Sequence, residues 1–161
     1  MAARFSDQQI DAFVRERKPL PEDYRTRVRL REKRWHKESE LEIAGANGNL
    51  FRLIFRQSGF NPLDFSIILA LCPAESSQIF RLRRYNGKSH EHGNRIEGDE
   101  FYDFHVHYAT ERYQELGMNE DAYAMPSQGY SDFHSALDCL LSDCGFDLPP
   151  GQQLSLFEVK T

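Results

Sequence analysis

Two pairs of histidines, each separated by one residue, are the side chains in this sequence best suited to chemistry. His90 and His92 form the first pair, and Asp103, His105 and His107 follow at alternate positions. Successive side chains of a β-strand point to opposite faces, so the last three would share one face at a spacing of ~6–7 Å. Imidazole transfers protons near neutral pH. The spacing therefore predicts a catalytic face formed by Asp103, His105 and His107.

Arg81, Arg83 and Tyr85 are predicted to lie beside these histidines. They alternate with apolar residues over a predicted strand that precedes the histidine strand. If the two strands pair antiparallel, the arginines would stand next to the histidines. Arginine donates bidentately to phosphate or carboxylate groups. We therefore expect the three residues to bind an anionic ligand, with His90 and His92 closing over it from the connecting loop.

Two other interpretations of the histidines stay open. Four imidazoles, with Asp103 or Glu91 as a further carboxylate, are enough for zinc, which needs three or four ligands. No Cys-x-x-Cys or His-Glu-x-x-His motif accompanies them, so the sequence assigns neither a metal nor a cofactor. Alternatively, Asp103 forms an ordinary charge pair with an arginine of the next strand, and the histidines are surface residues.

Charge is distributed unevenly along the chain. The net charge is −5, but residues 1–88 carry 17 basic and 11 acidic side chains, whereas residues 89–161 carry 3 and 14. Seven cations lie in residues 25–37 together with Trp35 and His36, which suits RNA or single-stranded DNA. Opposite charges on the two halves also suit a protein partner, or two faces that attract each other within one domain.

Length and composition indicate one globular domain that spans residues 1–161, with 40% hydrophobic and 12% aromatic residues. No apolar run approaches the ~20 residues that a membrane helix requires, and the N-terminus lacks the apolar core of a signal peptide. Three cysteines without a framework spacing argue against a disulfide scaffold. These features predict a cytoplasmic protein that does not associate with membranes.

Hydrophobic periodicity predicts an α+β fold. Ser6 is expected to cap a helix over residues 7–18, and residues 130–144 have the spacing of an amphipathic helix. Short turns between successive strands require antiparallel neighbours. We expect an antiparallel meander of about five or six strands, with the N-terminal and the C-terminal helix packed on one face. The predicted strands are residues 25–31, 38–43, 50–56, 65–71, 78–85 and 101–110. Residues 154–159 are expected either to add an edge strand or to end without regular structure.

Parts of the sequence resemble known families. Four segments resemble uncharacterised prokaryotic proteins that carry a similar histidine segment: Arg84-Tyr85-Asn86-Gly87, His90-x-His92, Phe104-His105-Val106-His107 and Ala109-Thr110-Glu111-Arg112-Tyr113. The order helix, antiparallel strands, helix is also similar to RelE-like ribonuclease toxins, which use basic and histidine side chains on RNA. This fold-level resemblance transfers no catalytic residue, and the acidic net charge departs from those basic toxins.

The leading functional hypothesis is a small prokaryotic domain that binds a phosphate-rich ligand or RNA, with ribonuclease-like activity of the toxin type. In this hypothesis His105 and His107 act as acid and base, and Arg81 and Arg83 hold the anion. A non-catalytic protein-interaction module and a histidine-ligated metal protein are the alternatives. The sequence leaves open whether the protein is an enzyme.

Overall fold

The computed structural model describes residues 4–150, so the edge strand predicted at residues 154–159 lies outside the described residues. Four helices are present in that part of the chain: α1 (Asp7–Arg15), α2 (Tyr24–Arg27), α3 (Glu111–Glu115) and α4 (Phe133–Asp143). The strands there are β1 (Lys18–Pro19), β2 (Arg31–Glu32), β3 (His36–Ala44), β4 (Leu50–Ser58), β5 (Phe65–Cys72), β6 (Phe80–Asn86), β7 (His92–Gly93), β8 (Glu100–Phe101), β9 (His105–Tyr108), β10 (Ala124–Pro126) and β11 (Phe146–Asp147).

Seven of these strands form one antiparallel meander sheet in the order β10-β9-β6-β5-β4-β3-β2. The predicted α+β meander with a helix near each end of the chain is confirmed, and β5 is central as its apolar sequence suggests. The sheet has seven strands because β2 and β10, two and three residues long, extend its edges. A separate hairpin of β7 and β8 leaves the meander between β6 and β9, and β1 pairs parallel with β11.

Both end helices pack on one face of the sheet and form the core with it. The cap of α1 is as predicted: Ser6 Oγ accepts from the backbone N–H of Gln9. Ile10 and Val14, one turn apart, are buried against the sheet. The buried residues of α4 are Phe133, Ala136, Asp138, Leu140 and Leu141. No helix within residues 4–150 is long and apolar enough to cross a membrane.

The strand predicted over residues 25–31 is wrong. That segment contains most of α2 and reaches the sheet only at Arg31. Tyr24 is buried and Val28 packs against the core, and a spacing of four residues places both on one face of a helical turn. The arginines that alternate in this segment therefore lie on the exposed side of a short helix and in the loop that follows it.

A β-bulge in β6 changes which side chains face the histidine strand. Leu69 pairs with Arg83 and Ala70 pairs with Arg81, so Leu82 is an extra residue in β6. Beyond the bulge the alternation of faces is shifted by one position. Arg83 and Tyr85 consequently lie on the face that packs against the helices.

Candidate metal centre

The histidines of β9 lie on the sheet face opposite α1 and α4. His105 pairs with Asn86 and His107 pairs with Arg84 of the neighbouring β6. His105 is fully buried and His107 is 5% exposed, so the histidine face is not an open surface. The excursion between β6 and β9, which contains the β7–β8 hairpin, covers it.

His92, at the start of β7, brings a third imidazole onto the two histidines of β9. Its ring centroid lies 5.6 Å from that of His105 and 4.9 Å from that of His107. One potential ligand atom from each of the three rings lies within 4.8 Å of the other two. This spacing allows three imidazole nitrogens to reach a single ion.

Backbone carbonyls define the protonation of both β9 rings. Nδ1 of His105 lies 2.7 Å from the carbonyl oxygen of Asp103, and Nδ1 of His107 lies 2.7 Å from that of Asp121. A carbonyl oxygen only accepts hydrogen bonds, so each Nδ1 carries the proton. Nε2 of both rings therefore presents a lone pair towards the cluster.

Asn94 defines the protonation of His92 in the same way. The side-chain amide nitrogen of Asn94 donates to the carbonyl of Ala124 at 2.7 Å and to Asp99 Oδ1 at 3.0 Å. Its Oδ1 accepts from the N–H of Ala124 at 2.9 Å, so the amide has one orientation. Nε2 of His92, 2.9 Å from this Oδ1, must then be a donor. The lone pair of His92 is consequently on Nδ1.

Asn86 contacts the lone pairs of both β9 histidines. Its Nδ2 lies 3.4 Å from Nε2 of His105 and 3.2 Å from Nε2 of His107. Its Oδ1 accepts from Arg84 Nε at 2.9 Å and from Ser66 Oγ at 2.8 Å. These two donors hold the amide with its nitrogen towards the imidazoles.

Burial keeps the β9 histidines neutral. It lowers the pKa of the His105 imidazole below its usual value and that of His107 to about 3. Repulsion from neighbouring imidazoles and from Arg84 acts in the same direction. A histidine must be neutral to bind a metal ion, so the environment favours the ligating form.

One side of the cluster faces His90, which is exposed. The ring centroid of His90 lies 5.5 Å from that of His105. The ring of Phe101 approaches the cluster as well, 5.6 Å from His92 and 5.7 Å from His105. The segment that carries His90 and His92 therefore closes over the strand histidines, with His92 at the cluster and His90 at its rim.

Two predicted site residues remain near the cluster without pointing into it. Asp103 precedes β9 in a bend, and its exposed carboxylate lies 3.8 Å from Lys88 Nζ. Only its backbone carbonyl serves the site, through His105. Arg81 is on the histidine side of the sheet, where its Nε lies 3.6 Å from Glu120 and 3.3 Å from Asp121.

Arg83 and Tyr85 do not lie beside the histidines, which corrects the placement expected from simple alternation. The hydroxyl of Tyr85, a 1% exposed residue, donates to Asp143 Oδ2 at 2.7 Å. The guanidinium of Arg83 lies 4.9 Å from the ring centroid of Tyr108. The bulge at Leu82 is the cause, because it turns both side chains towards α4. Arg84 is the arginine that faces the histidines.

The fold and this cluster define an α+β protein with a buried site of three histidines. The chain matches no protein-family model, no curated protein and no solved structure. The resemblances to uncharacterised prokaryotic proteins and to RelE-like toxins stay predictions.

Proposed function

We propose that the protein binds one divalent transition-metal ion of the zinc class through Nδ1 of His92 and Nε2 of His105 and His107. The observation that carries this proposal is the convergence of three ligand atoms within 4.8 Å, while the second nitrogen of each ring is held by an oxygen acceptor. Acceptors of this kind orient ligating imidazoles and raise their basicity. Imidazole suits zinc, copper, iron and nickel.

The alternative is that the three histidines only stabilise the fold and bind no metal, and this accounts less well for the orientation of their lone pairs. Asn86 reaches the Nε2 atoms of His105 and His107 only at 3.4 and 3.2 Å, which is long for two N–H···N bonds. Within residues 4–150 no donor forms a hydrogen bond with Nδ1 of His92. A metal ion would bind the lone pairs of all three nitrogens.

Three imidazole ligands would leave a fourth coordination position on a zinc-class ion, and the exposed ring of His90 is the nearby candidate for it. Zinc is four-coordinate in structural sites, and in catalytic sites three protein ligands leave the fourth position to water. Ligation by His90 would make the ion a clamp between the hairpin and the sheet. Water in that position would be activated as a nucleophile, as it is in other three-histidine zinc sites.

The prediction that His105 and His107 act as acid and base on RNA is supported less well. A general acid must hold a proton near the working pH. Burial of both rings and the lowered pKa of each oppose this. Metal binding requires the neutral imidazoles that the site favours, so it is the better use of the same residues.

Metal analysis and titration test the proposal. Protein purified without chelator should contain about one zinc-class ion per chain, as measured by inductively coupled plasma mass spectrometry. Chelator-treated protein should bind Zn²⁺ in calorimetry, and Co²⁺ should give the intense visible absorption of a tetrahedral site. His92→Ala, His105→Ala and His107→Ala should each lose at least a hundredfold in affinity.

The control is His134→Ala, which removes an exposed histidine of α4 on the other side of the sheet. It should bind metal as the wild type does. His90→Ala distinguishes a site with His90 as the fourth ligand from one with water in that position. It should lose metal affinity strongly only if His90 is a ligand. Wild-type protein that binds no metal, or an unchanged affinity in His107→Ala, would overturn the proposal.

A further inference from the structure

Trp35 and Phe60 form an exposed pair of aromatic rings on the β2–β3 and β4–β5 turns. Trp35 is 62% exposed and Phe60 is 76% exposed. Their ring centroids lie 5.9 Å apart with 35° between the planes. Large aromatic side chains that stay in water beside one another are typical of a binding surface. We call this pair the aromatic platform.

The backbone holds the platform in place. The N–H of Gly59 donates to the carbonyl of Trp35 at 3.0 Å, which joins the two turns. A Cβ on Gly59 would lie 3.3 Å from that carbonyl oxygen, so a larger residue would require the carbonyl to shift by a few tenths of an ångström. Ser58 Oγ accepts from the N–H of Phe60 and of Asn61 at 3.0 and 3.1 Å. The rings are therefore displayed by ordered backbone.

Basic side chains border one side of the platform. Lys33 and Lys37 line a shallow cavity of about 230 Å³ next to both rings, together with Glu32. The guanidinium of Arg34 lies 5.8 Å from the ring centroid of Trp35. Within residues 4–150, Lys33, Arg34 and Lys37 form no ion pair within 4 Å. Their charges are available to an anionic ligand.

A larger groove of about 440 Å³ begins on the other side of the rings and crosses the sheet face that carries the histidines. Arg56 and Arg84 contribute its positive charges, and Asp64 is its acidic residue. At its inner end, Ser66 accepts from Arg84 Nε at 3.1 Å and donates to Asn86. The groove thus leads from the aromatic platform to the residues that border the metal centre.

We propose that the aromatic platform and its two grooves bind single-stranded nucleic acid. Bases stack on Trp35 and Phe60, and phosphates lie against Lys33, Lys37 and Arg56. Base stacking on exposed rings combined with a cationic path for the backbone is how proteins bind single strands without sequence preference. Paired bases in a duplex do not present their faces, so the platform discriminates against double strands. The acidic remainder of the chain repels the strand and confines it to this surface.

The sole tryptophan of the chain reports directly on the platform, because a base stacked on Trp35 quenches its emission. The probes are a 12-nucleotide oligouridylate, the matching oligothymidylate and a duplex of similar length, titrated at low salt. Both single strands should quench Trp35, and the duplex should not. A preference of more than tenfold for one of them would assign the natural ligand to RNA or to DNA.

Variants separate stacking from charge. Phe60→Ala should weaken binding of the oligonucleotide about five- to hundredfold, since each stacked base contributes that much. Lys33→Gln/Lys37→Gln should lower the dependence of log affinity on log salt by about 1.4, because each phosphate contact on a single strand contributes ~0.7. The matched controls are Tyr102→Ala, at a 52% exposed aromatic residue near the hairpin, and Arg15→Gln on α1. Both should bind as the wild type does.

Absence of quenching by every oligonucleotide would overturn the proposal, as would equal binding by Phe60→Ala and wild type. Quenching of Trp35 by a protein partner in place of oligonucleotides would assign the surface to protein recognition and would equally overturn it. Metal content is measured independently of Trp35 emission. Failure of the metal proposal and failure of this one are therefore distinguishable.

Discussion

The side-chain amide nitrogen of Asn86 lies 3.2 Å from Nε2 of His107. Its N–H group points at the lone pair through which this imidazole would bind a metal ion. The amide cannot flip without turning its N–H groups towards Arg84, whose guanidinium occupies the other end. A metal ion and the amide would therefore compete for the imidazoles. The metal affinity that we propose for the site depends on this one side chain, which sequence reasoning did not assign to it.

Asn86→Asp should raise the affinity for Zn²⁺ at least tenfold. The aspartate keeps an oxygen for Arg84 and Ser66, but places a second oxygen where an N–H donor stood. That oxygen repels the lone pairs of His105 and His107 and attracts a cation. Calorimetric titration of chelator-treated protein measures the change, and the melting temperature without metal should fall while the shift caused by zinc grows.

Asn61→Asp is the matched control, since it makes the same change of charge in a turn away from the histidines. Its Oδ1 accepts from the N–H of Leu63 at 3.0 Å, which an aspartate oxygen does equally well. Equal zinc affinities of Asn86→Asp and wild type would show that the ion does not bind at Nε2 of His105 and His107.

The histidine pattern was predictable from the sequence, whereas its surroundings were not. Alternation places His105 and His107 on one face, and the structure has them there. The sequence predicts that the segment with His92 closes over the strand histidines, but loop conformation leaves no periodic signal that would show which ring reaches them. The carbonyl of Asp121 has no side-chain signature at all, since any residue supplies one.

The bulge at Leu82 shows a second limit of sequence reasoning. Polar and apolar residues alternate in the segment Arg81-Leu82-Arg83, and this pattern predicts that both arginines lie on one face of the strand. One extra residue in β6 separates them, and the alternation itself does not mark it. Arg84 is the residue that pairs with His107.

Metal binding should order the segment that covers the histidines. His92 belongs to the hairpin, whereas His105 and His107 belong to the sheet, so an ion bound by all three joins the two. Adding Zn²⁺ to chelator-treated protein should slow amide hydrogen exchange in residues 88–104 at least tenfold, with little change in β4 and β5. Exchange in residues 88–104 that zinc leaves unchanged would show that the ion does not bridge them.

The stability of metal-free protein should fall as the pH is lowered from 7 to 5. The pKa of His107 is about 3 in the folded chain and 6.5 in the reference state, so the unfolded chain binds more protons below pH 6.5. Stability is thus fully present above pH 6.5 and is lost as the pH falls towards 3. His107 alone should cost about 2 kcal/mol at pH 5, and the lowered pKa of His105 adds to it.

Urea denaturation in chelator at pH 7, 6 and 5 measures this loss. His107→Phe removes the titrating group and should lower the slope of stability against pH. His134→Gln, at an exposed histidine, should keep the wild-type slope. The groups that face His107 are His92, His105 and Arg84, and all three disfavour its proton. A flat profile in the wild type would show that the rings are solvated.

Lys18 joins the ends of the two long helices from inside the core. It is fully buried, and its Nζ lies within 2.9 Å of the carbonyl oxygens of Phe13, Val14, Glu16 and Cys144. These carbonyls belong to the C-terminal ends of α1 and α4. The last carbonyls of a helix have no hydrogen-bond donors within that helix. A cation also complements the negative end of each helix dipole. Lys18 is therefore a structural residue and not part of the site.

Lys18→Met should lower the free energy of unfolding by about 3 kcal/mol, because it leaves several buried carbonyls without a donor while preserving the apolar stem. Urea denaturation measures it, with Lys88→Met as the control. Lys88 is exposed, and its ion pair with Asp103 Oδ1 is long, at 3.8 Å. Its loss should therefore change the stability by less than about 0.5 kcal/mol. Equal stabilities of the two variants would contradict the role of Lys18. Folded Lys18→Met should still bind zinc, since the ammonium group lies among carbonyls at the helix ends and touches none of the three histidines.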